Sequence, residues 1–279
     1  MIIEFSIFDS CIHEKVNLIN YNMKIFLFLA LLSVNLSVFA QENITEFNKG
    51  EYLKFKISYG LINAGFASLE IKDSIIENEP VFHVVGKGWT TGMVHFFFPV
   101  EDDYQTYFNK SNVQPQYFIR KVSEGGYTTN REIYFDYDSI KAKVIDHKRD
   151  TIKYFEIHED IQDMVSALYH LRTKDLSDLK EGETISIDIF FDGEINKFQL
   201  KLTGREELKT PFGKINTLVF KPFVQVGRVF KENESVTLWI TDDKNKIPLK
   251  IKASILVGSL KAELFEYKGL ANSFPVIFN

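Results

Sequence analysis

Cysteine is almost absent from this chain, and the one present stands apart from the rest. Cys11 precedes the apolar run at 25–40, so the chain beyond it has no disulfide, no thiolate metal ligand and no cysteine nucleophile. Stability there must come from core packing. Charge of one sign is scarce too: 33 basic residues stand against 38 acidic ones, a formal net charge of −5. With no Lys/Arg cluster along the sequence, that balance offers no footprint for nucleic acid and no polybasic segment for a membrane surface. Motifs with mechanical meaning are missing: there is no glycine-rich phosphate loop ending in Lys-Ser or Lys-Thr, no Gly-x-Ser-x-Gly elbow and no His-Glu-x-x-His helix. No internal repeat or low-complexity tract divides the chain.

One extended apolar stretch exists. Met23-Lys24 leads into Ile25–Ala40, interrupted by Ser33, Asn35 and Ser37 and closing on Val38 and Ala40. A basic start, an apolar centre and small residues, in that order, read as a secretory signal peptide. A spanning helix needs roughly 20 apolar residues, and this run is shorter. The expected organisation is therefore an extension at 1–22 that precedes the true start at Met23, a signal peptide at 23–40 cleaved between Ala40 and Gln41, and a single β domain at 41–279. With no cysteine at position 41 to accept a lipid, the mature chain is expected to be unlipidated, periplasmic and without an integral membrane span.

What the chain has in quantity is alternation. Leu53, Phe55, Ile57 and Tyr59 alternate with lysines and serine, as do Ala67, Leu69 and Ile71 beyond the Gly60 to Gly65 turn, which predicts a hairpin with one dry face. The pattern returns in Ile133, Phe135 and Tyr137, in Ile185 to Phe191, and in Phe198, Leu200 and Leu202 after Asp192-Gly193, a dipeptide suited to a tight hairpin. Val236, Leu238 and Ile240, then Leu249, Ile251, Ala253 and Ile255, then Leu260 to Tyr267 complete about a dozen strands. A sheet of that size cannot stay flat, so a half-barrel, a closed barrel or a sandwich is expected. An outer-membrane barrel fits poorly, because its strands carry an outward apolar band and aromatic girdles. One segment has helical spacing: Ile161, Met164, Val165, Leu168 and Leu171, with Asp160 placed as the cap, predict an amphipathic helix at about 160–174 that plugs one end of the curved sheet.

Residues that would carry chemistry are few. His158, Asp160 and Asp163 are metal-ligand types, but both aspartates are also explained as first-turn helix charges. The carboxylates of Glu101-Asp102-Asp103 and Glu206-Glu207 would make a hydrolase only if two converged across a cleft. No catalytic residue, metal or cofactor is assigned. The segment from Trp89 to Pro99 holds Phe96, Phe97 and Phe98 without alternation. It reads either as a loop or short helix laying aromatic groups across the mouth of a ligand groove, or as a loop packing them into its own core. Arg120 and Arg131 would clamp an anion, or pair with Glu124 and Glu132 across a hairpin. Trp89, Phe96, Phe97, Phe98, Tyr117, Arg120, Tyr127 and Arg131 form the expected ligand-binding set, for a lipid-like or amphiphilic envelope molecule. Trp239, on the polar face of its strand, would serve the alternative, an assembly factor that meets envelope proteins or peptidoglycan.

Several stretches together resemble a known family: Gly50-Glu51-x-Leu53-x-Phe55-x-Ile57-x-Tyr59-Gly60-x-Ile62-x-Ala64-Gly65, Glu124-Gly125-Gly126-Tyr127, Gln162 to Tyr169, Trp239-Ile240-Thr241 and Ile247-Pro248-Leu249. Across residues 48–270 the chain is similar to the exported bacterial family catalogued as domain of unknown function 3108. The resemblance implies an all-β fold with a single many-stranded curved antiparallel sheet, like periplasmic lipoprotein carriers in outline. It carries no catalytic residues. Those carriers close their cavity with several helical lids, whereas this chain predicts one helix.

Overall fold

The computed structural model describes residues 44–226, 229–232, 236–254 and 258–277. The expected signal peptide and the Ala40–Gln41 junction lie outside the described residues, as does Ile255. Residues Asn43–Asn279 form one compact unit.

Alternating side chains and short turns fold this unit into a meander. Its first half contains β1 (Tyr52–Tyr59), β2 (Ile62–Ile76), β3 (Glu79–Thr90), the short helix α1 (Gly92–Phe97), β4 (Glu101–Asn109), β5 (Pro115–Glu124), β6 (Tyr127–Asp136), β7 (Lys141–Asp146) and β8 (Thr151–Glu156). After helix α2 (Ser166–Thr173) come β9 (Thr184–Phe191), β10 (Glu194–Thr210), β11 (Gly213–Val226), β12 (Val229–Glu232), β13 (Val236–Thr241), β14 (Pro248–Ser254), β15 (Ser259–Lys268) and β16 (Val276–Ile277). All join one antiparallel sheet in the order β8-β7-β6-β5-β4-β3-β2-β1-β15-β14-β13-β11-β10-β9, with β12 and β16 also paired to β11. The Asp192-Gly193 turn has both residues at positive φ, 53° and 90°, the backbone that a two-residue hairpin needs. The first hairpin turns at Gly60-Leu61, so β2 begins earlier than the expected turn at 60–65 allows.

The sheet is open. Among the described residues β8 and β9 share no pairing, and the linker between them bridges the gap. Gln162 donates its N–H to the Asp188 carbonyl at 2.9 Å and accepts from the Phe190 N–H at 2.8 Å. Phe190 then packs with Phe118, Ile133 and Phe135 from the other end of the sheet, so the two halves curl toward each other around a shared interior.

Helix α2 occupies that interior. Tyr169 packs against Phe47, Phe82 and Phe108, while Ala167 and Leu171 pack against Leu200, Leu218 and Ile240. The helix is shorter than its periodicity predicts, because Gln162 is drawn into a bridge with β9. Asp163, rather than Asp160, closes the amino-terminal turn: its Oδ1 accepts the N–H groups of Val165 and Ser166 at 2.7 and 2.8 Å. Its Oδ2 accepts the Thr106 hydroxyl at 2.5 Å, and full burial pushes the carboxyl up to about 6. At the other end of α2, Arg172 is 0% exposed. It binds both oxygens of Glu51, donates to the carbonyls of Glu46 and Asn245, and lies against the touching rings of Phe47 and Tyr169.

Candidate functional site

The interior is filled at the α2 end and open at the other. On β3, Gly86 and Gly88 are two residues apart and therefore share the inward face. In register, Gly88 lies between Ala67 and Asp102, and Gly86 between Leu69 and Tyr104. Three of the floor positions thus carry a methyl group or nothing, where neighbouring strands carry Phe and Leu. The result is a groove of about 360 Å³ lined by Phe55, Ala67, Leu69, Gly86, Gly88, Asp102 and Tyr104, with Met164 and Val165 above it. That size is at the lower end of small-molecule pockets. Toward the same end the inward-facing residues of other strands are only partly covered: Phe198, Ile251 and Leu260 are exposed.

A polar edge borders this apolar floor. Asp102 accepts the Ser123 N–H at 3.2 Å. Partial burial, reinforced by the neighbouring Glu124 carboxylate, pushes Asp102 up to about 6. Burial likewise pushes the Tyr104 phenol up. Near neutral pH the groove therefore presents an apolar bed with a weakly acidic carboxyl and an un-ionised phenol at its side, an arrangement that would orient an amphiphile.

The residues expected from sequence are dispersed. Trp89 points outward and packs with Phe66, beside Phe265 and the Lys54 ammonium. Phe96 and Phe97 stand exposed on α1, which buries no residue, so the segment is a short helix and does not fold its aromatics into a core. Phe98 turns back onto Gly125, where a Cβ would meet its ring at 2.1 Å. Tyr117 belongs to an outer-face ladder with Tyr107 and Tyr134, and Tyr127 is exposed beside Lys148.

Arg120 and Arg131 do clamp an anion, but it is the chain's own Asp192. Arg120 donates to Asp192 at 2.9 Å and Arg131 donates to the same oxygen, while Arg131 Nε reaches Asp146 at 2.9 Å. The pairing with Glu124 and Glu132 weighed from sequence is not formed, since Glu132 binds His147 and Tyr134 instead. Trp239 donates to Glu206 at 2.6 Å beneath Lys250. His158 meets Asp188 at 3.2 Å and lines a cavity with Asp160, whereas Asp163 is buried against Thr106, so the three residues weighed for a metal do not converge among the described residues. A polar cavity of about 480 Å³ is lined by His158, Asp160, His170, Lys174, Asp188 and Lys197. Burial lowers His170 to about 4, leaving a neutral imidazole beside balanced charges.

Sequence reading missed the floor. Its signal was the Gly86-Lys87-Gly88 spacing inside an otherwise β-forming stretch, since glycine within a strand marks close approach or an empty place.

One solved structure shares the fold. A crystal structure of a β-barrel-like protein of domain of unknown function DUF1849 from Brucella abortus matches with a TM-score of 0.54 at 9% identity, over 80% of this chain and 98% of that one. A DUF1089 family protein from Pseudomonas aeruginosa matches with a TM-score of 0.35 at 9% identity, over 66% and 87%. No curated protein matches the sequence. The family model described as "Protein of unknown function (DUF3108)" matches residues 54–264, which span β1 to β15, and the chain belongs to that family.

Proposed function

We propose that this protein is a periplasmic envelope protein that binds an apolar or amphiphilic molecule against the concave face of its sheet. One observation carries the reading. On a face otherwise packed with Phe, Leu and Ile, the adjoining positions Ala67, Gly86 and Gly88 are bare, and they leave a groove of about 360 Å³ with an apolar lining. An acyl chain or similarly slender apolar group suits such a bed, and Asp102 and Tyr104 at its side suit a hydrogen-bonding head. The aromatic and arginine residues expected to hold the ligand sit elsewhere, and the reading passes to Phe55, Leu69, Gly86, Gly88, Tyr104 and Met164.

The test is a native mass spectrum of the unit 43–279, exported behind a bacterial signal and purified without detergent. A bound species of lipid-like mass that leaves on denaturation is expected. A bare polypeptide mass, together with no uptake of an added fatty acid, would overturn the reading.

A further inference from the structure

The meander places the β1–β2 turn, α1 and the start of β15 at one end of the sheet, the end at which the groove floor stops. That end is apolar and unprotected. Leu61 is fully exposed, Met93, Phe96 and Phe97 are 77%, 80% and 74% exposed, and Ile62 and Leu260 also face solvent. Helix α1 lies against β2, where Thr91 N–H donates to the Ala64 carbonyl at 3.0 Å, so the two projections stand side by side. Two rings at the tip of a helix that buries nothing contribute nothing to the core, and a contiguous patch of this kind marks a contact surface.

Behind the tip the outer face turns basic. Lys252 and Lys261 are direct cross-strand partners, a like-charge pairing that costs stability. Lys261 also lies opposite Ser58, two residues from Lys56. The in-register carboxylate of this group, Glu263, is bound to Lys250 at 2.8 Å. At roughly 3.3 Å per residue Lys252 and Lys261, level with Ser58, sit about 10 Å behind Leu61, and Lys56 about 16 Å behind it. On the β4 side of the rim, Asp103 lies in register between Lys87 and Lys121, leaving Glu101 as the exposed acid there. Apolar side chains leading and ammonium groups about 10 Å behind match the depth of the acyl boundary and the anionic headgroups of a bilayer.

We infer that this end of the sheet docks on an anionic phospholipid surface, with Leu61, Met93, Phe96 and Phe97 entering the acyl boundary and Lys56, Lys252 and Lys261 meeting the headgroups. The docking surface is separate from the groove and holds whether or not a ligand occupies it. The sequence scatters these lysines over some 200 positions, so no basic cluster is visible before folding.

Flotation of the unit 43–279 with vesicles of phosphatidylglycerol and phosphatidylethanolamine tests this. Binding should exceed that to phosphatidylcholine vesicles and weaken as salt is raised. Phe96→Ser with Phe97→Ser should reduce it by about a hundredfold with an unchanged thermal midpoint, and Lys252→Gln by about fivefold with a midpoint held or slightly raised as the Lys252–Lys261 repulsion is relieved. Gly88→Val, which fills the groove, should bind vesicles as the wild type does. If the folded wild type ignores anionic vesicles, if the double phenylalanine variant binds them equally well, or if binding follows the groove instead of the tip, the docking surface is refuted.

Discussion

Replacing Gly88 by valine separates the groove from the fold that forms it. A Cβ at this position would find its closest neighbours at 3.7 and 3.9 Å, both on Asp102, an ordinary van der Waals contact, and the backbone there is not left-handed. Exchanging glycine for a β-branched residue in a strand stabilises by up to about 1 kcal/mol, which for a unit of this size raises the thermal midpoint by about 2–4 °C. The two methyl groups occupy the floor between Ala67 and Asp102, so an apolar ligand must withdraw from it. A loss of at least about tenfold in affinity, ~1.4 kcal/mol, is expected. The assay pairs a thermal melt with titration of the fluorophore N-phenyl-naphthylamine. The result that supports the groove is a midpoint held or raised while fluorophore affinity falls. Valine at Gly86 provides the contrast: its Cβ would meet Leu69 Cδ2 at 3.2 Å and the Tyr104 carbonyl at 3.3 Å, so that variant should lose about 1–3 kcal/mol of stability. If Gly88→Val binds the fluorophore as tightly as the wild type in a fully folded state, the floor is not where ligands lie.

Three other substitutions probe the supports of the site. Arg172→Met leaves Glu51 unpaired where neither side chain has any exposure, and a urea titration should show a loss of about 3–5 kcal/mol. Asp163→Asn keeps the oxygen that receives the Val165 and Ser166 amides and should unfold near the wild type, whereas Asp163→Ala strips both amides and should cost about 2–3 kcal/mol by the same titration. Asp102→Asn should be more stable than the wild type by about 1 kcal/mol at pH 7, a figure discounted for solvent screening. The folded pKa of Asp102, about 6, lies above the unfolded value, so the native state pays for its charge above pH 6. Between about pH 6 and 4 it binds a proton that the unfolded chain lacks. The advantage of the asparagine variant should therefore shrink through that window and vanish near pH 4; a constant difference would contradict the assigned shift.

Alternation made the sheet legible. Leu53, Phe55 and Leu264 face inward as period two requires, and the Asp192-Gly193 turn lies where the dipeptide places it. The helix was legible as an element but not in its start, because the pull of the β9 edge on Gln162 is a contact between segments and leaves no mark in periodicity. The site was mostly hidden for a similar reason. Aromatic residues attracted attention at 89–98, yet Trp89 follows its strand parity to the outer face, and α1 holds Phe96 and Phe97 away from the interior. Arg120 and Arg131 were weighed as an anion clamp or as partners of Glu124 and Glu132, and the carboxylate they meet comes from a turn more than 60 residues away. A groove made by missing side chains shows in sequence only as two glycines at the right spacing.

Arg172 also says something about time. Its partners lie 121, 126 and 73 positions away along the chain, so the cage around it closes only when the segment before β1, helix α2 and the β13–β14 loop have all arrived. Contacts of such long range form late in folding and do little to speed it. Formed after the barrier, they must be broken before it on the way back, and their strength goes mainly into slowing the escape. A folded molecule held by this cage should unfold slowly even where its equilibrium stability is modest, as suits a protein whose sheet is left open along one side.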